Sequence, residues 1–276
     1  MTHVTISIAQ ALQQACQGIV HTDARILLQY SLGVNHAYIL THPDQALSSA
    51  QQQLFFRLVA RRMDGEPVAY LIGECDFYDL IFKVTPDVLI PRPETEILVE
   101  LALMRLSVNY SNRILDLGTG SGAVALTLAR HCPQASVVAV DLSPAAVSIA
   151  RENADNLNIN NVFIATGNWF SELSGEKFDL IVSNPPYVAE NDPHLNQGDL
   201  RFEPRMALTA SIDGLSCIRT IIAAASDYLV AGGWLLFEHG YDQAAACRQL
   251  LEAAGFAETF SHPDLAGIMR VSGGRL

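Results

Sequence analysis

From residue 113 onward the chain repeats one pattern, a short apolar β-rich run followed in most cases by an amphipathic helical stretch. The runs are RILDL, SVVAV, NVFIA, FDLIVS and WLLFE. Strands this continuously apolar are buried on both faces, which requires a mostly parallel sheet with helices above and below it. The pattern predicts an α/β, doubly wound, Rossmann-like sheet over residues 96–276. With 276 residues, 50% hydrophobic and 17% charged, the chain can bury such a sheet without staples, and a disordered or fibrous chain is excluded.

The residues before the sheet read differently. Residues 1–75 have helical periodicity and no catalytic cluster, and predict a small helical domain used for docking. Thr22-Asp23 is expected to cap a helix carrying Ile26, Leu27 and Tyr30 and closed by Gly33. Ser48-Ser49 is expected to open another, with Leu54, Phe55, Leu58 and Val59 on one face and Asp64-Gly65 at its end. Residues 76–95 predict a β-hairpin linker, DFYDLIFKV and VLI, turned at Thr85-Pro86-Asp87. It leads into Ile90-Pro91-Arg92-Pro93-Glu94-Thr95-Glu96 and a helix over 97–108 whose first turn holds the two acids.

The first strand of the sheet runs straight into Asp116-Leu117-Gly118-Thr119-Gly120-Ser121-Gly122 and then into the helix AVALTLARH. Glycines at such a turn let a ligand approach the backbone closely. Asp141 ends the second strand, 23 positions after Gly118, where a carboxylate can accept both hydroxyls of an adenosine ribose. Gly118, Gly120 and Ala123 also satisfy the dinucleotide pattern. Asp116 separates the two readings. A carboxylate before the glycines opposes a pyrophosphate but suits the ammonium and sulfonium of S-adenosylmethionine.

The strand FDLIVS ends in Asn184-Pro185-Pro186-Tyr187. Ligands of open α/β sheets bind outside the carboxyl ends of the strands, so this tetrapeptide and the glycine turn share one edge. Its two prolines remove donors and stiffen the loop. It presents two acceptors, the Asn184 side-chain oxygen and the Pro185 carbonyl, beside the Tyr187 ring. Two acceptors and a flat ring suit a planar group bearing NH₂, a carboxamide or an aminopurine, whose nitrogen must be oriented before it can accept a methyl group.

Charge and cysteine usage narrow the field. The net charge is −12, the only lysines are Lys83 and Lys177, and no basic stripe for a nucleic-acid backbone is visible. The five cysteines, Cys16, Cys75, Cys132, Cys217 and Cys247, form no C-x-x-C pair, and the histidines have no metal spacing. No metal, no signal peptide, no membrane span and a reducing cytoplasm are expected. Glu238-His239 tempts as an acid–base pair, but the chemistry requires none and both are expected to be structural.

The chain resembles the glutamine N-methyltransferases that act on peptide-chain release factors, the HemK/PrmC type. The likeness is carried by GEPVAYLIGECDFYDLIFKV, VLIPRPETEILVE, ILDLGTGSGAVAL, VVAVDLSPAAV, FDLIVSNPPYV, the RFEP segment around Arg201–Leu208, and GGWLLFEHG. The resemblance implies S-adenosylmethionine as cofactor, bound by Gly118, Thr119, Gly120, Ser121, Gly122 and Asp141, with Asn168, Trp169 and Asn184 bordering it. It implies that Asn184, Pro185 and Tyr187 act in catalysis, and that Asn184, Pro185, Pro186 and Tyr187 bind the glutamine amide of the Gly-Gly-Gln loop of class 1 release factors. It further implies that the helical domain helps grip that protein. The charge leads us to expect no direct nucleic-acid contact, and a monomer is expected. Members often carry Asp where this chain has Asn168, which predicts weaker cofactor binding. Arg201, Glu203 and Arg205 could contact substrate or brace the loop 188–205. Adenine-N methylation of DNA or RNA uses the same loop and is the alternative, opposed by the charge. A non-catalytic docking module leaves the loop unexplained, and nicotinamide-dependent oxidoreduction fails on Asp116.

Overall fold

The computed structural model describes residues 6–106 and 111–276. They form two compact units, one running to Glu74 and taking in Asn196–Phe202, the other comprising Cys75–Leu195 and Glu203–Leu276.

The first unit is helical: α1 (Ile8–Ala15), α2 (His21–Leu32), α3 (His36–Thr41), α4 (Ser49–Met63) and α5 (Val68–Ile72). Ser48 caps α4 through a box with Gln51, and Ser7 caps α1 in the same way with Gln10. The α2 start differs from expectation. Val20 is its N-cap, Thr22 and Asp23 lie in the first turn, and Asp23 instead pairs with Arg62 at 2.6 Å. Gly33 closes α2 in the left-handed region, at φ 67°. Leu27, Leu28, Phe55 and Leu58 are buried, whereas Tyr30 is exposed. Within this unit Arg62 also holds Asp199 at 2.9 Å, and Arg201 donates to the Asp64 carbonyl. Arg201 is therefore a brace.

The second unit opens within β1 (Glu74–Phe77), which pairs with β2 (Leu80–Lys83) as a two-stranded sheet. The hairpin turns at Tyr78-Asp79, not at Thr85-Pro86-Asp87, and VLI forms no strand. Tyr78 adopts φ 58° and donates its N–H to Glu96, which holds the turn. Val88 and Ile90 are buried outside any strand, so burial rather than a ladder accounts for their apolar character. A 3₁₀ turn, Pro93–Thr95, precedes α6 (Glu96–Arg105). The last two positions of the expected helix 97–108 lie outside the described residues.

The sheet consists of β3 (Arg113–Leu117), β4 (Ser136–Asp141), β5 (Val162–Thr166), β6 (Phe178–Ser183), β7 (Leu229–Glu238), β8 (Ala257–Pro263) and β9 (Met269–Arg275). Among the described residues its order is β5-β4-β3-β6-β7-β9-β8, parallel from β5 to β7 and antiparallel at β9 and β8. The connecting helices are α7 (Ala123–His131), α8 (Pro144–Asn156), the short α9 (Arg205–Leu208), α10 (Ser216–Ala225) and α11 (Ala244–Ala253). The side chains alternate as a two-faced sheet demands. Ile114, Val137, Ala139, Leu180 and Val182 pack with α6, α7 and α8. Leu115, Leu117, Val140, Ile181 and Phe237 pack with α10 and α11. The doubly wound sheet expected from the sequence is present. The order reverses at β3, which pairs β4 on one side and β6 on the other, and opens a crevice at the carboxyl ends of β3 and β6. No helix of the described residues is long and apolar enough to cross a membrane.

Candidate active site

Strand register brings the two sequence motifs together. Leu117 pairs with Val140 on one side and Ser183 on the other, so the glycine turn, Asp141 and Asn184 leave the sheet side by side. The Ser183 hydroxyl donates to the Leu117 carbonyl at 2.7 Å and pins the two strand ends. The amides of Gly118 and Thr119 both donate to the Val140 carbonyl. Gly118 and Gly120 have φ of 74° and 57°, which only glycine adopts cheaply. A Cβ at Gly118 would stand 3.7 Å from the Trp169 ring and 4.0 Å from the Asn184 carbonyl, at the mouth of the crevice. Behind the turn, buried Asn153 of α8 donates to the carbonyls of Ser121 and Lys83.

Two recesses open here. The larger has a volume of about 430 Å³ and is lined in part by Gly118, Gly120, Asp141, Asn168, Trp169, Asn184 and Pro186. That is within the usual range for a small-molecule site. The smaller, about 50 Å³, is lined by Asp116, Thr119, Ser121, Thr95 and Pro91 and shares Gly118, Gly120 and Asn184 with the larger. Gly122, Pro185 and Tyr187 stand outside both linings. Gly122 begins α7, where a Cβ would meet Leu126 at 2.9 Å. Pro185 is buried, and the Tyr187 hydroxyl is turned toward β7.

Two acids mark the ends of this space. Asp141 accepts the Gly120 amide on one oxygen and the Ser143 amide on the other, both at 2.8 Å. Burial raises its carboxyl above the ordinary value and these amides oppose that shift. Asp116 is 1% exposed. Its Oδ2 accepts the Thr119 hydroxyl at 2.7 Å, while Oδ1 finds no hydrogen-bond partner among the described residues. The Ala125 N–H in the first turn of α7 favours the charged form without closing a good hydrogen bond on that oxygen. Burial pushes this carboxyl up to about 7. A buried acid with an unmet oxygen at the wall of a recess fits a cationic ligand group, and the ammonium of the cofactor implied by the sequence is one.

The loop after β6 is held from behind. Asn184 Nδ2 donates to Thr95 Oγ1 at 3.0 Å, and that hydroxyl donates to Glu238 Oε2 at 2.6 Å. Tyr187 Oη donates to Glu238 Oε1 at 2.9 Å. Burial and the Glu238 carboxylate push the Tyr187 hydroxyl well above its usual value, so it remains a donor. Gln243 donates to the Tyr187 carbonyl at 3.1 Å. Farther along, Glu203 accepts the Ile90 amide and the Arg92 guanidinium, so it braces the loop as Arg201 does. His239 is buried, its Nδ1 against the Gly240 carbonyl and Nε2 against the Ser272 hydroxyl, and burial lowers its pKa.

Thr95 and Glu238 are the residues that sequence reasoning missed as supports of the loop. Thr95 lies between the two acids Glu94 and Glu96 and Glu238 at a strand end, but only the parallel pairing of Ser183 with Phe237 brings Glu238 beside the loop.

Comparison with known proteins identifies the family and the fold. A family model described as PrmC N-terminal domain matches residues 4–73, and one described as Methyltransferase small domain matches residues 94–199. A release factor glutamine methyltransferase of Burkholderia pseudomallei is 51% identical over 260 residues, covering 92% of this chain and 91% of that protein. One from Vibrio cholerae is 48% identical over 267 residues, covering 96% and 93%. Among solved structures, a methyltransferase from Pyrococcus furiosus shares the fold with TM-score 0.55 at 18% identity, covering 78% of this chain and 95% of that one. The Thermus thermophilus 16S rRNA N2 G1207 methyltransferase, solved with AdoMet and guanosine, does so with TM-score 0.56 at 21% identity, covering 73% and 49%.

Proposed function

The chain belongs to the release factor glutamine methyltransferase family, and on that premise we propose that the loop Asn184–Tyr187 holds the glutamine amide of a class 1 release factor's Gly-Gly-Gln motif beside a bound cofactor. The protein is a methyltransferase acting on the side-chain amide nitrogen of a release-factor glutamine, and S-adenosylmethionine is its methyl donor. The residues that would hold the donor are Gly118, Thr119, Gly120, Ser121, Gly122, Asp141, Asn168, Trp169 and Asn184, joined by Asp116, which the sequence assigned to the methionine end. Gly122 contributes by letting α7 start tightly against the turn. The helical unit to residue 75 serves as the docking domain, residues 76–95 link it to the transferase domain 96–276, from which Asn196–Phe202 departs to fold with the helical unit, and the enzyme works as a cytoplasmic monomer without gripping nucleic acid.

The single observation that carries the reading is the orientation of Asn184. With its NH₂ committed to Thr95, its oxygen is left to accept. Bound S-adenosylmethionine supplies an electrophilic methyl carbon on a sulfonium that leaves without protonation. Asn184 and the Pro185 carbonyl accept the two amide hydrogens of the substrate and turn its nitrogen lone pair toward the glycine turn. Their acceptors become stronger partners as positive charge develops on that nitrogen. Tyr187, fixed by Glu238, supplies a wall for the planar amide. Asp116 and Asp141 orient the donor, no side chain needs to remove a proton before transfer, and the positively charged methylated nitrogen then releases its extra proton to water.

Labelled-methyl transfer tests this with three acceptors: intact release factor, the factor with its Gly-Gly-Gln glutamine replaced, and duplex DNA with tRNA. Label on the intact factor alone, reduced about 10²–10³-fold by Asn184→Ala, is the expected result. Label on nucleic acid and none on the factor would establish the adenine reading instead.

A further inference from the structure

The geometry points to Glu238 as a positioning residue that dictates which end of the Asn184 amide faces the substrate. This rests on the reading of the Asn-Pro-Pro-Tyr loop given above and extends it to a residue outside the loop. Glu238 is 1% exposed at the end of β7, and each of its oxygens meets one hydroxyl. Burial raises the Glu238 carboxyl, the Thr95 and Tyr187 hydroxyls and the Arg270 charge oppose that shift and favour the ionised form, and an ionised carboxylate can only accept hydrogen bonds. Thr95 has a single hydroxyl hydrogen, and at 2.6 Å that hydrogen goes to Glu238. The Thr95 oxygen is then open only to a donor. Asn184, 3.0 Å away, must present its NH₂ there, and its carbonyl oxygen turns away from Thr95.

The direction matters because an amide is nearly symmetrical in shape. Either end of Asn184 fills the same volume, and sterics alone leave both orientations open. The reversed one would point N–H groups at the N–H groups of the incoming glutamine amide, a donor facing a donor. Tyr187 on the second oxygen completes the set, so the same carboxylate fixes the aromatic wall and the acceptor together.

Glu238→Gln keeps the shape but replaces one acceptor by an NH₂, which lets the Thr95 hydroxyl reverse. We expect kcat for release-factor methylation to fall at least ~tenfold, while the KM for the factor and the Kd for S-adenosylmethionine stay within about threefold. Thr95→Val should do the same, and Thr95→Ser should restore most of the loss, because serine keeps the hydroxyl. A readout independent of turnover is the Asn184 side-chain amide in ¹H–¹⁵N spectra. Its hydrogens should exchange slowly in the unaltered protein and in Thr95→Ser, and faster in Thr95→Val. If Glu238→Gln fails to fold, the Thr95 pair carries the test alone. Wild-type kcat in Thr95→Val, or unchanged slow exchange, overturns the direction-setting role. Transfer that survives Asn184→Ala overturns the loop reading itself, and is distinguishable because the amide exchange of the other variants is measured without substrate.

Discussion

Asp116 and Glu238 are two carboxylates buried to the same degree, each 1% exposed, at the same edge of one sheet. Burial is the largest influence on both and raises both from their ordinary values, Asp116 to about 7. Their hydrogen-bond states differ. Glu238 has a hydroxyl on each oxygen, whereas Asp116 has one on Oδ2 and none on Oδ1. A buried acid with a full set of protein partners is already used, as a rigid support. A buried acid with an open oxygen at a recess is poised for a partner that arrives from outside. The first kind fixes a loop and the second recognises a ligand.

The strongest way to break this contrast is to remove each acid and measure cofactor affinity. Asp116→Ala should weaken S-adenosylmethionine binding about 10- to 100-fold, the loss of one hydrogen bond to a charged group of roughly 1.5–3 kcal/mol. Glu238→Gln should leave that affinity almost unchanged. Isothermal titration of both variants decides it, and equal losses would mean that both acids are supports.

Proton linkage sharpens the contrast next. The Asp116 carboxyl sits at about 7 in the free fold, above its ordinary unfolded value of about 4. Its neutral form is favoured, so its contribution to fold stability is full below about pH 4 and is lost as pH rises through about 7. Binding of a cation demands the ionised form. Affinity for the cofactor should therefore fall as pH drops below about 7, approaching tenfold per unit, and Asp116→Asn should flatten the profile. The same variant should raise the ligand-free Tm at pH 8, at about 2–4 °C per kcal/mol for a chain of this size, because it removes a buried charge. A Tm that falls in Asp116→Asn would show that Asp116 is a satisfied structural acid after all.

How much of this was legible follows the same division. The apolar runs identified the five parallel strands because four of them are buried on both faces toward their carboxyl ends, the edge strand β5 with its exposed Phe163 being the exception, and the glycines and prolines marked the two strand ends where a ligand can reach the backbone. Asp116 was legible because it precedes the glycines in sequence. Thr95 and Glu238 were not, since their roles come from hydrogen bonds spanning 143 and 51 positions that exist only once β7 pairs β6. The hairpin was misplaced because Thr85-Pro86-Asp87 carries the usual turn residues, while the real turn uses Tyr78 at φ 58°, a conformation a bulky residue seldom adopts.

Gly118 offers an intermediate test. Gly118→Ala forces a side chain into φ 74° and places a methyl beside Trp169, at a cost of about 1–2 kcal/mol from the backbone alone. Gly122→Ala meets similar backbone strain, at φ 85°, but its methyl collides with Leu126 inside the helix packing instead of the crevice. The first should lower cofactor affinity more than Tm, and the second Tm more than affinity. Thermal melts with and without S-adenosylmethionine separate them.

The smallest effect concerns Asn168, which is exposed at the wall of the larger recess. On the proposal that the donor's adenine sits at this wall, an amide oxygen accepts its amino group, but a carboxylate would make the hydrogen bond charge-assisted. Exposure limits the gain, because water screens a charge that the buried Asp116 would feel in full. Asn168→Asp should therefore tighten S-adenosylmethionine binding only about two- to fivefold, at most roughly 1 kcal/mol. The effect should be independent of pH between 6 and 8, since an exposed aspartate is ionised throughout that range. A gain that tracks pH through 7 would mean instead that the new charge couples to Asp116 or Asp141 across the recess, so that the crevice behaves electrostatically as one site.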